Sequence, residues 1–380
     1  MKQHNKVKLM RYLKIFMLCL IVSVAVSCSE DELSSTSIFD TNPVERNDLD
    51  QWLFDNFTKP YNIEVTYKYD DKETNNNYNV VPVDKPKAKA MAIMLQHAWI
   101  DAYREVAGDV FFKTNTPKKL LFLGSRMYES DGSEVLGVAE GGLKITLTGI
   151  NDMDLNNIII DQQTPFHTRN DKGYDLNYYI FKTMHHEFCH ILNQKKEFQR
   201  EYKEISEGKY HATDWVNVTD KNAPREGFVS GYSTKEYNED FAEMYSIYVS
   251  HTPEAWNQIL DASLDTLKNE KGGIIYQTDA QGKPVYKKDK DGNLIPKTDS
   301  KGNIIYMTDH NGNTVYDSDG NPIPQYEQEP ATNSEYRDVL LAKLKLVREY
   351  FANSWNIDID KLRDVVLRRS QEIYTLNLGQ

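Results

Sequence analysis

Cysteine is nearly absent from this chain, and its placement excludes a disulfide framework. Of three cysteines, Cys19 sits inside an N-terminal apolar run, Cys28 follows that run, and Cys189 stands alone in the body. The fold must therefore rest on a buried core, for which roughly 350 residues beyond the leader suffice, as one two-lobed enzyme or two domains. Long apolar runs are also missing. Ile15 to Val26 is too short to span a bilayer, and behind Lys2, Lys6, Lys8, Arg11 and Lys14 it reads as an export signal over residues 1–27. Basic residues are in deficit, 45 against 57 acidic ones, for a formal charge of −12. Removing residues 1–27 takes away five bases and no acid and moves that charge to −17. Such a surface argues against nucleic acid and against anionic membrane as partners.

What is present is concentrated in FKTMHHEFCH, residues 181–190, which holds His186, Glu187 and His190 in the order HExxH. On a helix, residues four apart lie one above the other, so the two histidines can close on one ion with Glu187 beside it. Phe181, Met184, Phe188, Ile191 and Leu192 fall on the opposite side, as in a helix that packs on a core and faces a cleft. Cys189 occupies a non-ligand position and reads as a small packing residue. His185 lies about 100° round the helix from His186 and does not join the ligands. Downstream, NEDFAEMYSIY carries Glu239 and Glu243 on one face and Phe241, Met244, Tyr245 and Tyr248 on the other. An acidic pair can be a solvated face, but an aromatic-rich helix argues for burial. A buried carboxylate needs a cation or a hydrogen-bonding partner, and a zinc site of two histidines and a glutamate supplies the cation. His211 and His251 have no partner at ligand spacing and are left outside the site.

With both helices in hand, residues 185–250 resemble the glutamate-type zinc metallopeptidases, and among these the clostridial and anthrax-toxin-like peptidase domains, whose third-ligand helix reads ExxAE. The resemblance implies Zn²⁺ held by His186, His190 and Glu239, with Glu187 as general base in hydrolysis of a peptide bond. It also implies Tyr232, seven residues before Glu239, as a donor to the oxyanion. Glu243 is the candidate partner of a ligand histidine. The chain as a whole resembles the substrate import-associated zinc metallohydrolase lipoproteins of Bacteroidetes, which accompany outer-membrane nutrient importers. Ala25-Val26-Ser27-Cys28 is similar to a lipobox, with Ala25 where leucine is usual, and makes Cys28 the expected lipidation site. Ser29 to Glu32 resembles a surface-export tag or is a solvated linker. The resemblance implies an outer-membrane lipoprotein, at the cell surface or facing the periplasm. Its expected partners are a TonB-dependent importer with its substrate-binding lipoprotein, the membrane through the N-terminal lipid, and a peptide or protein substrate. The alternative is a non-catalytic, zinc-containing binding lipoprotein of the importer, against which the intact Glu187 counts.

The rest of the chain supplies an order of elements. Residues 28–45 are polar and aperiodic, a flexible tether, and ordered structure is expected from Asp48. Ile63, Val65, Tyr67 and Tyr69 alternate as a strand, and Asn75 to Asn77 is loop. Pro86 to Val106 is helical with Gly108 just past its end, and Leu120 to Leu123 is a strand. Leu143 to Thr148 alternates after Gly141-Gly142 and is either a plain strand behind a turn or the edge on which an extended substrate lies. From Gly272 to Tyr326 the sequence repeats every ten residues, with Gly272, Gly282, Gly292, Gly302 and Gly312 in register. Short apolar pairs between Asp, Gly and Asn are hairpin or solenoid grammar. Calcium loops fail at Asp289 and Asp317, because Leu294 and Pro322 stand where glycine is required. Glu335 to Phe351 and Ile359 to Leu376 return to helical period. The expected fold is α+β and zincin-like: a mixed-sheet N-terminal lobe, the HExxH helix and a helical C-terminal lobe. The catalytic domain covers 46–270, a β-rich repeat insertion 271–330, and C-terminal helices 331–380.

Overall fold

The computed structural model describes residues 45–68, 78–167 and 173–379. The export signal, Cys28, nearly all of the tether, Tyr69 and the Asn75–Asn77 loop lie outside the described residues. Structure starts at α1, Asp48–Leu53, whose Leu49 and Leu53 are buried. A wide turn continues it to Tyr61, and left-handed Asn62 reverses the chain into β1, Glu64–Thr66. Helix α2, Lys85–Leu95, starts with proline in its first turn, passes through a wide turn at Gln96–Ile100 and becomes α3, Asp101–Asn115. The helix expected to stop at Gly108 instead only breaks there, at φ 86°, and resumes. The reason is Phe112, wholly buried and set edge-on against Trp99 with ring centres 5.2 Å apart. That burial outweighs the break, which glycine tolerates at positive φ.

Four strands make the main sheet, in the order β1, β2 (Lys119–Phe122), β6 (Lys144–Leu147), β5 (Gly137–Glu140). β1 to β2 and β2 to β6 are parallel, while β5 to β6 is antiparallel, so the sheet is mixed. Gly141 and Gly142, at φ 57° and 69°, turn β5 into β6, as a tight hairpin requires. β6 is thus paired on both sides and cannot receive a substrate strand. The edge is β5, and the expectation that placed it on residues 141–148 moves one strand earlier. Side chains of β2 alternate between two clusters: Leu120 and Phe122 enter the main core, whereas Leu121 and Leu123 pack with Met127. A two-rung hairpin, β3 (Met127–Tyr128) with β4 (Glu134–Val135), lies on that second side.

The helical half is built from α4 (Thr183–Lys195), α5 (Arg200–Ile205), α6 (Tyr237–Ser250), α7 (Pro253–Ala262), α8 (Glu335–Trp355) and α9 (Ile359–Glu372). Every apolar residue expected on the inner face of α4 is buried. α6 packs against α4, α8 and α9, with Tyr245 stacked on Phe351 at 4.1 Å and Phe241 on Phe198 at 4.1 Å.

Between α7 and α8 the chain leaves through β7 (Asp265–Thr266) and returns through β8 (Thr332–Asn333), which pair antiparallel. The ten-residue repeats between them form one β-ribbon. Tyr276, Tyr286, Pro296, Tyr306 and Tyr316 pair in turn with Pro330, Gln328, Tyr326, Pro324 and Pro322 of a single returning segment. Each repeat therefore advances two residues along its partner, about 7 Å, and the other residues of each repeat loop out as a small hairpin. Asp279, Asp289, Asp299, Asp309 and Asp317 close these hairpins, each Oδ1 accepting the backbone N–H groups two and four residues on. These carboxylates cap their own turns.

Candidate metal centre

α4 presents its histidines to the cleft because the opposite face is fixed in the core. His185 shows the division: it points inward, its Nδ1 2.9 Å from the Tyr103 hydroxyl, and burial lowers its pKa to about 3. It is a neutral core residue and no metal ligand. His186 and His190 point the other way and meet Glu239 from the first turn of α6. His186 Nε2 to His190 Nε2 is 3.0 Å, and each lies 3.1 Å from Glu239 Oε2. Among the described residues, these three form the group of His, Cys, Asp and Glu side chains able to hold a metal ion.

The triangle fits a zinc ion. Tetrahedral ligands at bonds of about 2.0–2.1 Å stand roughly 3.3 Å apart, close to the spacing found. Chemistry points the same way. Glu243 Oε1 lies 2.9 Å from His186 Nδ1, outside good hydrogen-bond alignment, and its charge favours the proton on Nδ1, leaving the Nε2 lone pair toward His190 and Glu239. Acceptors that converge without a donor between them repel, and a cation removes the conflict. Without one, Glu239 and Glu243 overcome the effect of burial and raise His186 to a pKa of about 10.

Glu243 was expected beside a ligand histidine and is found there, but it is not alone. Lys182 Nζ lies 3.1 and 3.3 Å from its two oxygens, and the Ser230 hydroxyl donates to Oε2 at 2.6 Å. Burial alone would raise its pKa, yet Lys182 and His186 hold it well below the usual carboxylate range. Sequence reading missed both Lys182 and Ser230. Lys182 does carry a signal, four residues before His186 on the same helical face.

Glu187 is buried, lines the cleft, and takes a hydrogen bond from the backbone N–H of Ala139 in β5. Burial raises its pKa, while His186 and His190 oppose the rise. β5 can come this close because Gly137 has no side chain: a Cβ there would stand 2.5 Å from Thr183 Cγ2. Tyr232, in the short turn Tyr232–Thr234, donates its hydroxyl to Glu239 Oε1 at 2.8 Å. The hydroxyl therefore sits on the ligand carboxylate and is not pointed at open space. Lys235 Nζ is 3.3 Å from that hydroxyl and 3.6 Å from Glu239 Oε1. His211 bonds Glu226 at 2.7 Å, and His251 lies buried beside the Ile247 carbonyl, so neither joins the centre. The cleft holds about 730 Å³ and is walled by residues 133–139 on one side and by Trp215, Tyr232 and Lys235 among others.

The family model described as "Putative zinc-binding metallo-peptidase" matches residues 42–360. A solved structure from Bacteroides caccae, described as "a putative zinc-binding metallo-peptidase", is similar to this chain. Identity is 27%, the TM-score is 0.56, and the match covers 90% of this chain and 99% of that one. No curated protein matches.

Proposed function

The chain belongs to the zinc-binding metallopeptidase family whose model spans residues 42–360, and from that premise we propose that it hydrolyses peptide bonds with Glu187 as general base. The observation that carries the reading is a buried carboxylate beside a His-His-Glu triangle in an open cleft, a base that a structural metal site has no use for. Zinc bound there would supply Lewis acidity to a water and to the scissile carbonyl. Glu187, its pKa raised by burial, accepts the attacking water's proton and delivers it to the leaving amine. β5 is the edge of the sheet along the cleft, and with the Ala139 N–H released from Glu187 an extended peptide can lie on it as a further antiparallel strand. Tyr232 serves the oxyanion by turning its hydroxyl from Glu239 to the substrate oxygen. Glu243 holds His186 in the tautomer that frees Nε2.

The lipidated N-terminus at Cys28, the outer-membrane location and the association with an importer belong to this proposal and rest on the lipobox-like Ala25–Cys28. Loss of membrane fractionation in Cys28→Ala, with soluble protein of normal zinc content, is the expected result.

The deciding experiment is Glu187→Gln. It keeps every ligand, so zinc should remain, while turnover of a broad peptide library should fall roughly a hundred- to ten-thousandfold. Equal activity in variant and wild type, including none, would leave a zinc-containing binding protein. Tyr232→Phe should lower kcat roughly ten- to a thousandfold with zinc retained. An unchanged kcat removes Tyr232 from the reaction.

A further inference from the structure

We infer that Lys235 selects substrates that carry an acidic side chain beside the scissile bond. The inference rests on the peptidase reading of the same cleft. Among the described residues three cations, Arg126, Lys182 and Lys235, line that cleft, and two are already matched. Arg126 holds Glu134 at 3.0 Å, contacts Asp152, and donates to Tyr179 at 3.1 Å. Lys182 is buried against both oxygens of Glu243. Lys235 is different. Its side chain is 38% exposed, and its carboxylate contact is Glu239 at 3.6 Å, longer than a good hydrogen bond.

Glu239 is also the carboxylate committed to the metal, so an ion in the triangle takes up the charge that Lys235 faces. Around the centre, Glu187, Glu239, Glu243 and the buried Asp220 oppose Lys182 and Lys235, leaving two negative charges. A divalent ion offsets these, and among the described residues the cation left facing solvent is Lys235. Its position is not arbitrary. The ammonium lies over the rings of Tyr232 and Trp215, 5.0 and 5.9 Å from their centres, and its backbone N–H closes the turn that begins at Tyr232. Two aromatic faces hold it at the cleft wall without neutralising it. Asp131, exposed near the β3–β4 turn, also feels this charge, yet no ion pair forms between the two among the described residues. The whole chain bears −12, so long-range attraction favours cationic peptides, and any preference for acidic ones must come from a local group such as Lys235.

The test uses two pools of fluorescent random peptides, one containing Asp and Glu, the other Asn and Gln in their place. Binding is measured to zinc-loaded Glu187→Gln protein, which removes turnover from the readout. The acidic pool should bind roughly tenfold tighter, the scale of one charge-assisted hydrogen bond. Adding Lys235→Gln should erase the difference, and Lys235→Glu should reverse it. Equal binding of the two pools, or a preference that survives Lys235→Gln, overturns the inference. So does equal weakening of both pools, which would make Lys235 a support for Tyr232. Turnover by wild-type protein is scored separately. If neither pool is cleaved but the Lys235-dependent preference stands, the peptidase reading fails and the assignment of Lys235 survives.

Discussion

In the body of the fold, Lys343 and Asp240 meet at 2.7 Å with both side chains wholly buried. In the ribbon, Lys287 and Glu327 meet at 3.0 Å with their side chains 38% and 40% exposed. The two pairs look alike on paper, and their surroundings make them opposites. Lys343 also donates to the Gly227 carbonyl at 2.8 Å, and Tyr210 donates to Asp240 Oδ2 at 3.1 Å, while Asp240 Oδ1 is buried without a hydrogen-bond partner. From Leu264 to Val339, by contrast, no residue is buried. The ribbon stands on backbone pairing and capped turns, the body on burial with ion pairs such as Lys343 to Asp240 and Lys182 to Glu243 inside it. It follows that a substitution should matter in the body through what it leaves unpaired, and in the ribbon through what it does to the turns.

The largest predicted effect exploits that contrast directly. Lys343→Met strands the Asp240 carboxylate in the core and should cost about 3–5 kcal/mol. Lys287→Met should cost less than about 1 kcal/mol. Urea unfolding of the two variants measures both. Similar losses would mean that burial does not separate the two regions.

Acid should separate them next. Burial lowers His251 to a pKa of about 4 from its ordinary 6.5. Below pH 6.5 the unfolded chain takes up a proton that the folded chain refuses, so the body loses stability as pH falls from 6.5 to about 4. His251 accounts for on the order of 3 kcal/mol of this loss and is spent near pH 4, while His185, lowered to about 3, carries the limb further down. His251→Gln should shrink this limb between pH 6.5 and about 4 in unfolding curves taken across it. The ribbon answers to other groups. The turn-capping carboxylates of Asp289, Asp299, Asp309 and Asp317 are held below their ordinary 3.8, chiefly by hydrogen bonds within their own turns. Their contribution is present above that value and lost only as pH falls through the lowered one. The NMR resonances of Gly292, Gly302 and Gly312 should therefore hold their positions until below about pH 4. Movement in the His251 range would tie the ribbon to the body.

The same division explains what could be read from the sequence. α4 and α6 announce themselves because one face is apolar and the other carries the ligands, and a helix repeats that pattern locally. The repeats announce themselves by their glycines. β5 does not, because Gly137-Val138-Ala139-Glu140 has no alternation. Its small residues answer to Thr183 and Glu187, which are far along the chain and come close only in the fold. The partners of Glu243 were hidden for the same reason, since Ser230 reaches it across a tertiary contact. The returning strand of the ribbon was hidden by composition: Asn321-Pro322-Ile323-Pro324 reads as loop, yet it opens the segment 322–330 that pairs with every repeat.

Excision comes third. Because β7 and β8 already pair, residues 267–331 can be replaced by Asn-Gly, which turns a two-residue hairpin. The shortened protein should keep its zinc and unfold within a few degrees of the full chain, an outcome calorimetry and metal analysis would register. Loss of zinc or of cooperative unfolding would make the ribbon part of the body.

The smallest effect on stability is expected at the prolines of the returning strand, where the consequence is association. Ile323, Gln325, Glu327, Glu329 and Ala331 donate their backbone N–H groups into the ladder. The alternate positions face outward, and there Pro322, Pro324 and Pro330 have no N–H to offer. Proline thus falls only where the ladder does not need a donor, and it strips donors from an edge that could otherwise template a second strand. Replacing all three by threonine leaves every internal rung in place, so folding should change little. It also restores three outward donors on an edge about 30–40 Å long. Sedimentation across a range of concentrations should show self-association in the triple variant and not in wild type. If the variant sediments as wild type does at every concentration, the prolines do not guard the edge.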